Sequence, residues 1–219
     1  GYVARIAAVF NNNGSGERGD LGAVVTALLL DEEARDARYF LGDPTFGRLK
    51  EPVQRALALA RIGRLNRHDK ILWWTRGSFY NAAFQEPTFS PSVFNFYRPD
   101  YQPPGLLTQA GLVGPAFQIA DSYACISFPN QLWDQTLRGF VLDGSYEFPP
   151  DYADLLALAG DTEALVDHVN LLFCAGGMTA PTRAALVSQL NQVATNERLT
   201  RVHLAVYVAA TCPEGAVQR

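Results

Sequence analysis

Residues 161–211 read DTEALVDHVNLLFCAGGMTAPTRAALVSQLNQVATNERLTRVHLAVYVAAT. Apolar side chains recur there at spacings of three and four, the period of a helix with one buried face. Asp161 stands where a side-chain oxygen can cap a helix running to about Cys174. Thr179 is placed to cap a second helix to about Ala194. Asn196 is placed to cap a third to about Thr211, with Leu199, Val202, Val206 and Ala209 facing inward. Connections this short favour antiparallel neighbours. The reading is a three-helix subunit over 161–212 in an all-α protein.

Working outward, the same signals recur. Val3, Ile6, Ala7 and Phe10 share one helical face from the first residues. Asp20 caps a helix carrying Leu21, Val24, Val25, Leu28 and Leu29, which should fray near Asp36. Glu51-Pro52 opens another, because proline at the first turn lacks only an N–H that has no helical partner anyway. Its inner face is Val53, Ala56, Leu57 and Ala60. From residue 113 helix resumes, with Trp133, Leu137 and Phe140 on one side, and then a loop spans about 143–150. The whole chain, 1–219, is expected to be a single multi-helix domain.

Residues 73–106 break the pattern. Trp73, Trp74, Phe79, Tyr80, Phe84, Phe89, Phe94, Phe96, Tyr97 and Tyr101 crowd together. Pro87, Pro91, Pro99, Pro103 and Pro104 forbid long regular elements in the second half. The expected result is an aromatic, proline-rich irregular wrap, with Phe94, Phe96 and Tyr97 packed inside. Trp73, Trp74, Tyr97 and Tyr101 are also flat faces on which a sugar ring could stack, so they are the candidate glycan-binding residues.

Composition narrows the classes. The chain has 219 residues, 48% hydrophobic and 18% charged, with net charge −4. That is too apolar for disorder and too acidic for a nucleic-acid binder that works by bulk electrostatics. No uninterrupted apolar run has the character of a membrane span. Gly14, Gly16 and Gly19 spell a dinucleotide fingerprint, but a helix precedes them where a strand is required. Asn11, Asn13, Ser15 and Asp20 are candidate ligands for a hard cation. The twelfth position of that loop is Gly22, so it lacks the closing glutamate of a calcium-binding loop. No cofactor motif is found.

His68, His168 and His203 are scattered, and His203 reads as a boundary residue rather than a catalyst. Asp143, Glu147, Asp151 and Asp154 form an acidic patch; solvated loop charges explain it more simply than acid–base chemistry. Cys174 and Cys212 fall at the same level of the three-helix subunit. They are expected to lie close, as two buried thiols or, less simply, as a bridge.

Larger motifs carry a family likeness. Gly1-Tyr2-Val3-Ala4-Arg5, Val9-Phe10-Asn11-Asn12-Asn13-Gly14-Ser15-Gly16 and Arg18-Gly19-Asp20-Leu21 form the first. Ser90-Pro91-Ser92-Val93-Phe94-Asn95-Phe96-Tyr97-Arg98-Pro99 is the second. Arg201-Val202 through Pro213-Glu214 to Val217-Gln218-Arg219 closes the pattern. The chain resembles the bacterial Domain of Unknown Function 1800 family along its whole length. Members of that family often have serine where Cys212 stands, and the stretch Asn81 to Phe89 is looser here than in most.

The resemblance implies the carboxy-terminal half of a longer, exported bacterial protein, which agrees with Met178 being the only methionine. It supplies no catalytic residues. Two functions follow as expectations. One is a binding or assembly module outside the cell, partnered by the upstream half or another chain. The other is a glycan-acting enzyme whose site is shared with that half.

Overall fold

Asp20 places its carboxylate on the backbone N–H of Ala23, and the residues behind it follow as a helix. Asp161 does the same at Ala164. Such caps satisfy N–H groups that the first turn leaves without a partner, so each sets where its helix begins. The computed structural model describes residues 1–36, 47–64, 78–142 and 145–218. Among these, strand is limited to segments of two to four residues, and the architecture is all-α. The chain divides into two compact units, residues 1–48 and 49–218.

The first unit contains α1 (Tyr2–Asn11), α2 (Leu21–Leu30) and the short α3 (Glu32–Arg35). The connection between α1 and α2 is a helix-to-helix turn, as its sequence context predicts. α1 and α2 are tied at one end by Arg5, whose guanidinium grips both carboxylate oxygens of Asp31 at 2.6 and 2.7 Å. Tyr2 donates its hydroxyl to the Leu28 carbonyl at 2.6 Å. At the other end the Gly19 N–H donates to the Phe10 carbonyl. These ties at the ends are polar; Ile6 and Val9 of α1 and Ala23, Val24 and Ala27 of α2 are half-buried, and no residue of either helix is fully buried.

The second unit holds the core. Its elements are α4 (Pro52–Ile62), α5 (Ser78–Ala83), α6 (Leu106–Gln109), a 3-10 turn (Pro115–Ile119) and α7 (Ala124–Arg138). Strands β1 (Phe140–Leu142) and β2 (Ser145–Phe148) follow, then α8 (Ala153–Leu158), α9 (Thr162–Cys174), α10 (Ala180–Leu190), α11 (Arg198–Thr211) and α12 (Pro213–Ala216). α9, α10 and α11 pack pairwise against one another. Leu165, Val166 and Val169 of α9 meet Leu186 and Leu190 of α10 and Val202, Val206 and Ala209 of α11 in one cluster. Ala56, Leu59, Phe79, Phe128 and Leu132 extend it into α4, α5 and α7. Each large apolar side chain so buried contributes roughly 1.5–3 kcal/mol, which is what holds the unit together.

Arg201 is the largest fully buried side chain, at 1% exposure. Among the described residues, no carboxylate pairs with it. Its guanidinium donates to the carbonyls of Ala159 (2.7 Å), Leu190 (2.6 Å) and Val193 (2.8 Å) and to the Thr162 hydroxyl (2.6 Å). Helix C-termini leave carbonyls without helical partners, and a cation is favourable there. The five-donor fork of arginine can serve several at once.

Several expectations need correction. α10 ends at Leu190 and α11 is capped at Glu197, so the connection is longer than predicted. Leu199 lies on the first turn of α11 and faces outward. The buried side of α7 is Phe128, Leu132, Gln135 and Thr136, while Trp133 lies on the surface, edge-on to Tyr207. Phe140 is buried, but on β1 rather than on a helix. The stretch 143–150 is not only a loop. β1 and β2 pair antiparallel, with Phe140 opposite Phe148, because a hairpin satisfies backbone groups that a bare loop would leave to water. Residues 84–105 are the irregular segment the sequence predicts, carrying only an isolated bridge between Ser92 and Asn95.

Candidate functional site

The irregular segment is fastened through one carboxylate. Glu51 stands at the N-cap of α4, a position that usually belongs to serine, threonine, aspartate or asparagine. Gln54 reaches back to accept from the Glu51 N–H at 3.1 Å, as in a capping box. Tyr97 donates its hydroxyl to one oxygen at 2.9 Å. The Asn95 amide donates to the other at 2.9 Å, and so does the Gln85 amide. The Gln85 carbonyl in turn accepts from the Val53 N–H. Hydrogen bonds to a charged acceptor are about twice as strong as neutral ones, so this carboxylate is a strong anchor.

The backbone around it is strained. Phe84, Thr88 and Asn95 have positive φ, at 52°, 74° and 72°. Asparagine tolerates that region; a bulky or β-branched residue does so at a cost of about 1–3 kcal/mol. Asn95 closes the tight turn from Ser92, and the Ser92 hydroxyl accepts from the Phe94 N–H. Further along, the Arg98 N–H donates to the Gln118 side chain. The result is a pinned loop whose tip carries Val93 and Phe94 at 93% and 58% exposure. Phe94 was expected inside and is not. It stands exposed at the turn, while Asn95, Phe96 and Tyr97 are half-buried, so Phe96 and Tyr97 are only partly packed. A cleft of about 210 Å³ lies alongside, lined by Pro91, Phe94, Phe96, Tyr97, Arg98 and Gln118 among others.

Of the candidate glycan residues, Tyr97 and Tyr101 are among those the structure describes. Tyr97 lines this cleft but commits its hydroxyl to Glu51. Tyr101 is not among the lining residues. Trp73 and Trp74 lie outside the described residues.

The candidate cation loop is closed on itself. The Asn12 side-chain oxygen accepts from the N–H groups of Gly14 and Gly16, and that of Asn13 from Ser15 and Glu17. The Asn13 amide donates to Asp20 at 2.8 Å, and this bond with the Ala23 N–H holds the Asp20 carboxyl below the usual range. A cation seated on Asn11, Asn13, Ser15 and Asp20 would have to compete with the bonds that Asn13 and Asp20 already make. Among the described residues, no group of three histidine, cysteine, aspartate or glutamate side chains is arranged to hold a metal.

The acidic patch is partly neutralised. Asp151 and Asp154 both face the guanidinium of Arg64, beside a cleft of about 300 Å³ that also carries Arg61 and His168. The side chains of Asp143 and Glu147 lie outside the described residues. His203 is half-buried against Tyr152, and burial lowers its pKa, as suits a boundary histidine.

Sequence reasoning missed Glu51, Gln85 and Asn95 as a group, and it missed Arg201. One signal was available: a glutamate at an N-cap is unusual enough to suggest that its carboxylate is needed elsewhere. Among the described residues, no helix is long and apolar enough to cross a membrane. No curated protein and no solved structure matches the sequence. The likeness carried by the Asn11–Asp20, Ser90–Pro99 and Arg201–Glu214 motifs is borne out along the chain: a family model described as "Protein of unknown function (DUF1800)" matches residues 1–216, and the chain belongs to that family.

Proposed function

We propose that the chain is a binding or assembly module of an exported bacterial protein, and that its partner is protein: the preceding part of the same polypeptide or another chain. One observation carries the reading. α2 is built almost wholly of leucine, valine and alanine, yet none of its residues is buried. Val25, Leu29 and Leu30 stand at 55%, 58% and 60% exposure, and Val3 on α1 at 78%. A helix that is apolar on every side is stable in water only when something covers it. At ten residues α2 is far short of the ~20 that a membrane span needs, so protein is the better cover. The rival reading, a glycan-acting enzyme, draws on less, since Tyr97 is tied to Glu51 and two acidic candidates are tied to Arg64.

The test compares the isolated chain with a Val25→Glu, Leu29→Glu double variant. The wild-type chain is expected to bind the dye ANS and to self-associate in sedimentation. The variant should do neither, while melting at the same temperature. A wild-type chain that stays monomeric and silent to the dye overturns the proposal. Co-expression with the polypeptide encoded upstream should suppress both signals in the wild type if that segment is the cover.

A further inference from the structure

Cys174 is the last residue of α9, and Cys212 joins the end of α11 to the start of α12. Their sulfurs lie 3.7 Å apart. The thiols are unbonded, and each residue is about 8% exposed. The expectation that they lie close is met. The surroundings hold them there. The Gly215 N–H donates to the Cys212 sulfur at 3.3 Å. A Cβ on Gly215 would stand 2.0 Å from the Ala209 carbonyl oxygen, so only glycine lets α12 fold back this tightly on α11. Lys50 donates to the carbonyls of Phe173 and Gly215, both at 3.1 Å, clamping the two cysteine-bearing segments with one cation.

We propose that Cys174 and Cys212 are a dithiol that closes to an intramolecular disulfide, joining the end of α9 to the α11–α12 junction. A bond requires the sulfurs to close from 3.7 Å to about 2.05 Å, between two segments that Lys50 and the Gly215 turn already hold together. A metal would be the other use for a cysteine pair, but no third ligand accompanies these two among the described residues.

The pair is also chemically unequal. The Cys212 sulfur accepts the Gly215 N–H and shares an S–H···S hydrogen bond with Cys174, and these hold the Cys212 thiol below its usual pKa against the effect of burial. Cys174 is pushed up by that shared bond and by burial. Cys212 is therefore the attacking thiolate. With a small disulfide such as oxidised glutathione as oxidant, Cys212 attacks one sulfur and expels the first glutathione thiolate. Cys174 then loses its proton and attacks the Cys212 sulfur, expelling the second. Two protein thiols are oxidised, and one glutathione disulfide is reduced to two thiols.

The experiment uses the full chain with Cys125, the exposed third thiol, changed to serine. The protein is equilibrated in graded mixtures of reduced and oxidised glutathione, both folded and during refolding from denaturant. It is then quenched in acid, labelled with N-ethylmaleimide under denaturing conditions and weighed. The expected product has lost two hydrogen masses, carries neither label nor glutathione, and melts several degrees higher than the reduced form. Peptide mapping should join Cys174 to Cys212. Adding Cys212→Ser should abolish the mass loss and the melting shift together. Two labels at every glutathione ratio under both protocols, or a persistent glutathione adduct, overturns the proposal.

Discussion

The α1–α2 hairpin and the α9–α11 subunit are made of similar material and arranged in opposite ways. Both begin a helix on an aspartate cap. Both use helices of roughly ten to fourteen residues. α2 is the more apolar by composition and buries nothing. α11 carries Arg201, His203 and Thr200 and buries six residues, Arg201 among them. Composition therefore did not decide burial here. Capping and helical propensity decide that a helix forms; the presence of neighbours decides which face goes inside. The hairpin has polar ties at its ends and an apolar middle without cover, whereas the subunit has an apolar middle and a polar knot at its centre.

The sharpest way to break the comparison is to remove that knot. Arg201→Met should cost about 3 kcal/mol, because the carbonyls of Ala159 and Val193 would lose their donor, that of Leu190 would keep only the Val193 N–H, and each unpaired group costs about 1–3 kcal/mol. Arg201→Lys should recover only part, since an ammonium cannot present a planar fork. Urea unfolding followed by circular dichroism measures both. A loss of less than about 1 kcal/mol for the methionine variant would mean that water can replace the guanidinium.

A matched pair sharpens the contrast next. Leu165→Ala empties a fully buried site and should cost about 3 kcal/mol. Leu29→Ala, on exposed α2, should stay within about 0.5 kcal/mol in the isolated chain. Equal costs would show that α2 is packed after all, and the same urea curves decide it.

The smallest effect concerns acid. Burial opposes the charge on Glu214, but donors from Thr179 and Thr182 outweigh it and hold the carboxyl down to about 2. A group depressed in the folded state adds stability above its unfolded pKa of about 4.3 and loses it as pH falls through the folded value. Wild-type stability should therefore drop more steeply than that of Glu214→Gln between about pH 5 and about pH 2.5. Parallel urea midpoints at the two pH values test this. Asp20 and Asp31, held low by Asn13 and Arg5, add an acid-sensitive component to the hairpin that Glu214→Gln leaves in place.

What the sequence made legible was local. The caps at Asp20 and Asp161, the proline opening α4, and the irregular wrap all depend on residues within a turn or two. The closeness of Cys174 and Cys212 follows from three short-linked antiparallel helices, of which the first and third end at the same level. What it concealed depends on distant partners. Glu51 meets Asn95 and Tyr97 across 44 and 46 residues, and no periodicity announces such a meeting. Leu199 and Phe94 look like core residues by type. One sits on the first turn of a helix and the other at the tip of a turn, and there position outweighs hydrophobicity. Trp133 was misassigned for a related reason, since the buried stripe of α7 runs one residue away from it, through Leu132.

Arg201 has a consequence for how the subunit opens. Its partners come from the end of α8, the start of α9, the end of α10 and the connection beyond it. Helix ends ordinarily fray one by one, each releasing its last amides to solvent at little cost. Here no single end can fray without taking a bond from a charge that has no water to replace it. Opening is therefore all-or-none across these connections. Amide hydrogens in the terminal turns of α8, α9 and α10 should exchange at one shared rate close to that of the core, and Arg201→Lys should separate them into independent, faster classes.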